Sequence, residues 1–379
     1  MSKPPVKFLM ILNELAWFWS HRLPLAKAIQ EKGWKLSVAA HDADKENKFQ
    51  DMNVTGCDLP RFGALNLWSQ IKFMQGVYKT IQKEQPDIIH VITIRYAFYV
   101  GLVTRLMRYK PVSFTVAGLG SLYTAPGMKM KILRSIVLPL MRFAFGGQGK
   151  CIIFQNPDDR QKMIDTRIVK LENTALIRGS GVDLEDFPYM PYEENNDEEP
   201  IILFTSRLVK EKGILDFIEA ARILKSEGVK ARFVVGGEIY PDNPRSLTHD
   251  EIMNPHREGI VEWLGQVKDV PSLIKESMMM VLPSYYGEGV PKVLLEAAAI
   301  GRPIVTCDAP GCREAVAHEV NGLLVPPQSP TDIAQAVKSL MNNAEKCTQY
   351  GTAGRKRVEE DFNTDHVVAQ TMKVYEELL

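Results

Sequence analysis

Short apolar, β-branched runs alternate along this chain with longer stretches whose apolar positions recur at helical spacing. In the first half, the runs at 6–12, 35–40, 88–91, 112–115, 151–154 and 175–177 read as buried strands. Residues 68–85 and 96–107 read as helices, as do segments starting near 23 and 157. Strand and helix taking turns in this way is the order of a doubly wound parallel sheet. A break comes next, where Pro188, Pro191 and the polar, turn-rich residues 193–200 read as a linker. Beyond it the alternation resumes, with strands expected near 201, 231, 261, 279, 303 and 323. The pattern therefore predicts two α/β domains, residues 1–188 and 189–363, and then a last helix in 364–379.

The chemistry concentrates in the second half. The strand ending at 281–284 leads into a Gly-marked turn carrying Glu288, and then into an Ala- and Leu-rich helix carrying Glu296. Glu288 thus sits at the carboxyl edge of the expected sheet, with Glu296 about two turns along the helix. Backbone amides and a positive helix end there suit an anion, while two carboxylates suit hydroxyls. Taken alone, an acidic loop residue and a solvated helical Glu explain the pair equally well. The strand at 201–205 adds Arg207 and Lys212 in the loop before its own helix, and ligands of open α/β sheets bind outside the carboxyl ends of the strands. Arg as a fork and Lys as a point charge suit a diphosphate.

These motifs, with Gly311-Cys312-Arg313-Glu314 and Asn321-Gly322-Leu323-Leu324, resemble the family-4 retaining glycosyltransferases. The resemblance runs through nearly the whole chain and is densest over 201–327. It implies the GT-B architecture, two facing Rossmann-like doubly wound domains with the last helix crossing back to the first. It also implies that Arg207 and Lys212 hold the diphosphate of a nucleotide sugar and that Glu288 touches the transferred sugar. Glu296 would bind the ribose, and Gly289, Val290, Pro291, Lys292, Val293 and Leu294 would offer backbone amides.

Composition is that of an ordinary soluble α/β protein, with 45% hydrophobic and 24% charged residues. The five cysteines lack the paired spacing of a zinc site and read as reduced thiols of a cytosolic protein. Residues 8–19 imitate a signal peptide, but Asn13 and Glu14 interrupt them, and 6–12 read better as the first strand. A net charge of zero hides an asymmetry: residues 1–182 hold 26 Lys and Arg against 13 Asp and Glu, and the remainder 20 against 33. Residues 88–157 carry nine cations and no acid. Within them Lys129, Lys131 and Arg134 are interleaved with Met, Leu and Ile, a composition suited to anionic lipid. A core helix with a basic edge is the other reading. Nucleic acid is disfavoured because aromatic-rich or groove-reading motifs are missing. No apolar run reaches the ~20 residues of a spanning helix.

Two segments of the first half would face an acceptor. The loop expected at 13–22 offers Trp17, Trp19, His21 and Arg22, whose rings suit sugar stacking and whose cations suit phosphate. Trp17 and Trp19 read equally as packed core. The other segment, Gly118-Leu119-Gly120-Ser121-Leu122-Tyr123, has Ala117 where many family members have a His. In this form it resembles bacterial enzymes that add an N-acetylhexosamine, commonly GalNAc, to a sugar on polyprenyl diphosphate. Asp42-Ala43-Asp44 reads as a solvated loop, and no metal or cofactor is expected. The resemblance then implies a UDP-N-acetylhexosamine donor, a lipid-linked acceptor, and peripheral attachment at the cytoplasmic face of the membrane. A nucleotide-sugar 2-epimerase of the same architecture and a non-catalytic membrane scaffold are the rival classes.

Overall fold

The computed structural model describes residues 4–62, 66–120, 127–192, 199–241, 243–285 and 287–379, the side chain of Lys129 excepted. Ser121, Leu122 and Tyr123 and most of the expected linker lie outside them. The chain divides into two compact units, Met1–Ser180 with Asp365–Leu379, and Gly181–Thr364. The division falls eight residues before the one expected at 188, because Val182 and Phe187 pack into the second unit's core.

The first unit is built on a seven-stranded parallel sheet of order β3-β2-β1-β4-β5-β6-β7. Its strands are β1 (Lys7–Ile11), β2 (Lys35–Ala40), β3 (Thr55–Asp58), β4 (Ile88–Ile92), β5 (Val112–Val116), β6 (Lys150–Phe154) and β7 (Thr174–Leu176). Side chains alternate across a strand, so β1 feeds two cores at once. Phe8, Met10 and Leu12 enter one, and Leu9 and Ile11 the other. The last helix, Thr364–Leu378, belongs to this unit: Met372 and Tyr375 complete the core beneath Phe8, and Tyr375 lies 4.9 Å from the Phe8 ring and 5.2 Å from that of His90.

The second unit carries a six-stranded parallel sheet of order β10-β9-β8-β11-β12-β13. These strands are β8 (Ile201–Thr205), β9 (Arg232–Gly236), β10 (Glu262–Trp263), β11 (Met279–Leu282), β12 (Ile304–Cys307) and β13 (Gly322–Val325). Both sheets start in the middle, grow to one edge and then restart on the other side. Each therefore has a topological switch point, between β1 and β4 in the first and between β8 and β11 in the second, where a crevice opens at the strands' carboxyl ends.

Candidate functional site

In the second unit the loops leaving β8 and β11 meet at the switch point. After β8 the chain makes a short turn, Lys210–Lys212, and enters the helix Ile214–Ser226 through Gly213 at φ 78°. A Cβ there would fall 2.2 Å from the Pro283 carbonyl oxygen, so only glycine lets the two loops approach this closely. The Tyr285 amide donates to the Glu211 carbonyl at 3.1 Å and ties the loops together. Lys212 and Glu288 consequently form an ion pair across the crevice, with side chains only 11% and 17% exposed. Ser284 Oγ donates to the other Glu288 oxygen at 2.6 Å. Two groups that sequence reading assigns to separate parts of a ligand are thus joined to each other. Arg207 stands exposed at the end of the same strand.

Glu296 lies on the helix Lys292–Ile300, its side chain 13% exposed and 3.6 Å from the ammonium of Lys292 one turn earlier. Burial pushes its carboxyl above the usual carboxylate range, and Lys292 opposes the rise. The expectation of donor amides from 289 to 294 needs correction at two positions. Pro291 has no N–H to give, and the Leu294 amide is taken by the Pro291 carbonyl at 3.1 Å. Leu294 is a core residue of the unit.

The Gly311 motif explains itself through contact. Helix Pro310–Ala315 abuts the Glu288 loop so closely that a Cβ at Gly311 would sit 1.6 Å from the Gly289 carbonyl oxygen. Cys312, packed against the Ser284 carbonyl, has its thiol pushed up to about 12 by burial and the nearby Glu288, so it is no nucleophile. Asn321 holds the next turn, accepting from the Ala317 amide at 2.7 Å and donating to the Ala315 carbonyl at 3.0 Å. Neither Ser284 nor this bracing announces itself in the sequence as part of the site.

At the first unit's switch point, residues 13–22 are not a loop. Leu15–His21 forms a helix, because Leu15, Phe18 and Trp19 share one face and pack on the β1–β2 core. Trp19 is drawn into that packing, its ring 5.5 Å from Phe49 and its N–H donated to Glu46 at 3.3 Å. Trp17 pairs with His21 instead, ring centroids 4.8 Å apart. Arg22 is half-buried, and burial lowers its pKa. Gly118 and Gly120, at φ 104° and 60°, turn the chain after β5. The Asp42 loop is less isolated than its sequence suggests. His41, Asp42 and Asp58 bring ligand-type atoms within 4.8 Å of one another where β2 and β3 end, and Lys45 pairs with Asp42 at 2.6 Å.

The segment carrying Lys131 and Arg134 is one helix, Met128–Phe145, with Pro139 inside it. Met141, Ala144 and Phe145 face the core, yet Met128, Ile132, Leu133, Ile136, Leu140 and Phe143 are exposed. Among the described residues no helix is long and apolar enough to cross a membrane.

Residues 189–357 match the family model described as glycosyl transferases group 1, and residues 10–156 match glycosyl transferase 4-like. An N,N'-diacetylbacillosaminyl-diphospho-undecaprenol alpha-1,3-N-acetylgalactosaminyltransferase of Campylobacter jejuni is 28% identical over 86% of this chain and 87% of its own length. A UDP-Gal:alpha-D-GlcNAc-diphosphoundecaprenol alpha-1,3-galactosyltransferase of Escherichia coli is 28% identical over 69% of this chain and 68% of its own. In fold, the chain is similar to a Thermosynechococcus elongatus sucrose-phosphate synthase, with TM-score 0.79 and 19% identity over 98% of this chain and 99% of that one. It is also similar to Anabaena HepE in complex with UDP, with TM-score 0.72 and 16% identity over 97% and 99%. Two doubly wound parallel-sheet units make this an α/β protein of the GT-B class. The chain belongs to the family-4 glycosyltransferases and is a transferase enzyme.

The close approach at Gly311 makes a direct prediction. Gly311→Ala should lower the second unit's melting transition by several degrees, the mark of about 1–3 kcal/mol of overpacking. Hydrogen exchange over residues 287–291 should quicken with it. Unchanged melting and exchange would show that the two loops separate without cost.

Proposed function

We propose that this enzyme transfers an N-acetylhexosamine, GalNAc in the first instance, from a UDP-sugar to a saccharide on a polyprenyl diphosphate, with retention at the anomeric carbon and without a metal ion. The observation that carries this reading is the Lys212–Glu288 pair at the β8/β11 switch point, with Arg207 in the β8 loop and Glu296 on the helix that follows the β11 loop. The names of the Campylobacter and Escherichia coli relatives support the lipid-diphosphate acceptor and, for the former, the N-acetylgalactosaminyl group. The exposed apolar residues of helix Met128–Phe145, beside Lys131 and Arg134, support attachment to the cytoplasmic leaflet that carries such an acceptor.

The bond from the anomeric carbon to the diphosphate oxygen breaks with its electron pair, so negative charge grows on the leaving group. Arg207, Lys212 and the N-terminus of helix Lys292–Ile300 are the positive groups available to it. Lys212 serves by exchanging Glu288 for phosphate, which frees the carboxylate to face the sugar. The acceptor hydroxyl bonds the anomeric carbon from the face the diphosphate leaves, and its proton passes to the departing phosphate oxygen.

Arg207→Ala and Lys212→Ala should each lower turnover at saturating donor by at least ~100-fold. The exposed Arg207 should be lost without a change in unfolding, whereas loss of Lys212 leaves Glu288 buried without its cation and should also cost stability. Normal turnover in either variant, read as UDP release with a polyprenyl-diphosphate sugar present, would remove the diphosphate assignment.

Transfer should continue in EDTA, since protein groups supply the charge a metal would otherwise provide. Activity abolished by chelator and restored by magnesium or manganese is the contrary result.

Glu296→Gln should weaken UDP and UDP-sugar alike, while Glu288→Gln should mainly slow turnover. A ribose hydroxyl donates best to the carboxylate, and the Glu296 pKa is raised. UDP affinity should therefore begin to fall, as pH drops, above the ordinary glutamate range, and Glu296→Gln should abolish that dependence. Calorimetry showing unchanged UDP affinity in Glu296→Gln would falsify the ribose role.

A further inference from the structure

A second charged cavity opens in the first unit, at the amino ends of β5 and β6 and so away from the switch-point crevice. It measures about 660 Å³ and is lined by Arg105, Arg108, Lys110 and Lys150, with Phe143 at one wall and no acidic residue in its lining. Arg105, Arg108 and Lys110 are exposed. Lys150 is 4% exposed, donates to the Ala144 carbonyl at 2.6 Å, and is pushed down to about 8 by burial and the neighbouring Arg105. Helices Ile94–Leu106 and Met128–Phe145 both end here, and their negative ends attract cations. Each helix end is worth about −0.5 charge, however, so four cations leave an excess of about three. Helix capping does not account for that excess, which suits the cavity to an anion.

The neighbouring cavity identifies the kind of anion. About 710 Å³ in volume and mainly apolar, it lies between helices Leu67–Glu84 and Ile94–Leu106 and is walled by Ile71, Met74, Tyr78, Val103, Leu106 and Met107 together with Gln75 and Gln82. Leu106, 69% exposed, lines both cavities. A tetracationic pocket and an apolar pocket sharing one wall fit a molecule with a phosphate at one end and hydrocarbon at the other. From this juxtaposition we infer that the first unit binds a single anionic phospholipid, its phosphodiester among Arg105, Arg108, Lys110 and Lys150 and an acyl chain against Leu106 and Met74.

This inference rests on the membrane-attached reading above but concerns a different site from the transfer crevice. Lys110 precedes β5 and Lys150 begins β6, whereas Gly118 lies beyond the other end of β5, whose five residues alone span roughly 17 Å at ~3.3 Å per residue. An acceptor whose reacting sugar sits directly on the diphosphate does not reach across that sheet. The occupant is accordingly a structural lipid of the bilayer.

Calorimetry with monomeric short-chain phosphatidylglycerol, compared with inorganic phosphate, tests it on the full chain. The lipid should bind at least ~10-fold more tightly than phosphate. Arg108→Gln with Lys110→Gln should cut lipid affinity by at least ~10-fold, in line with the attraction each cation adds near an anionic lipid. Leu106→Asp should erase the preference for lipid over phosphate. Lys27→Gln with Lys35→Gln, an equal loss of charge outside the cavity, should have little effect. Equal affinity for lipid and phosphate, or equal losses in the two double variants, would overturn the site. Turnover on a water-soluble acceptor should be normal in all of these variants, and that separate assay reports on the transfer reaction whatever the lipid result.

Discussion

The ion pair of Lys212 with Glu288 is the constraint on which the candidate site depends. It joins the two strands that flank the switch point, β8 and β11, through their loops. Pairs this deeply buried gain little net stability, because desolvation cancels much of the attraction, yet removal of one partner costs about 3–5 kcal/mol. The pair is therefore better understood as a device for holding charge ready than as a clamp. Ser284 donates to Glu288, so the carboxylate would keep one partner if, as proposed, its cation turns to a ligand. The crevice is polarised before anything enters it, and on the proposed reading an incoming anion would replace a carboxylate already desolvated there.

Close backbone packing makes that arrangement possible. Gly213 lets the β8 loop slide under the Pro283 carbonyl, and Gly311 lets a third loop press on Gly289. Three strand ends, β8, β11 and β12, thus converge on a few ångströms of backbone. Side chains in such a place have few rotamers open to them, which lowers the reorganisation needed as charge develops on a leaving group. Cys312 and Asn321 serve the same convergence, one by filling space and one by bracing a turn.

Much of this is legible in the chain because parallel strands buried on both faces are near-continuous apolar runs. Five of the six described strands of the second unit lie on such runs, the exception being the half-buried Glu262–Trp263 of β10, and Glu288, Glu296, Arg207 and Lys212 take their places from loop and helix position. The features that escape sequence reading do so for physical causes. Strand β3 is Thr-Gly-Cys-Asp, an edge strand with one buried side chain, Cys57, and so without a periodic signal. Leu15–His21 reads as a loop because its short helical face is crowded with aromatics. Trp19 is committed to packing, which separates it from Trp17 although the two are neighbours in sequence. The approach of His41 to Asp58 depends on β2 pairing with β3, a register that no local pattern announces.

The helix Met128–Phe145 shows how the two properties of the first unit fit together. A helix apolar on one stripe is satisfied by a core, but this one is apolar on the stripe facing solvent as well. Exposing six large hydrophobic side chains to water is a cost that packing against the unit does not offset. A bilayer interface would offset it, with the acid-free run of cations providing the approach and the apolar stripe the seat. The same acid-free run also supplies Arg105, Arg108, Lys110 and Lys150, where three exposed cations and one buried one line a single cavity. One stretch of sequence bears both features because a strand-helix-strand path carries it from the exposed helix to the amino ends of β5 and β6. On the proposed reading, the exclusion of acidic residues from 88–157 would serve long-range attraction and a specific pocket together.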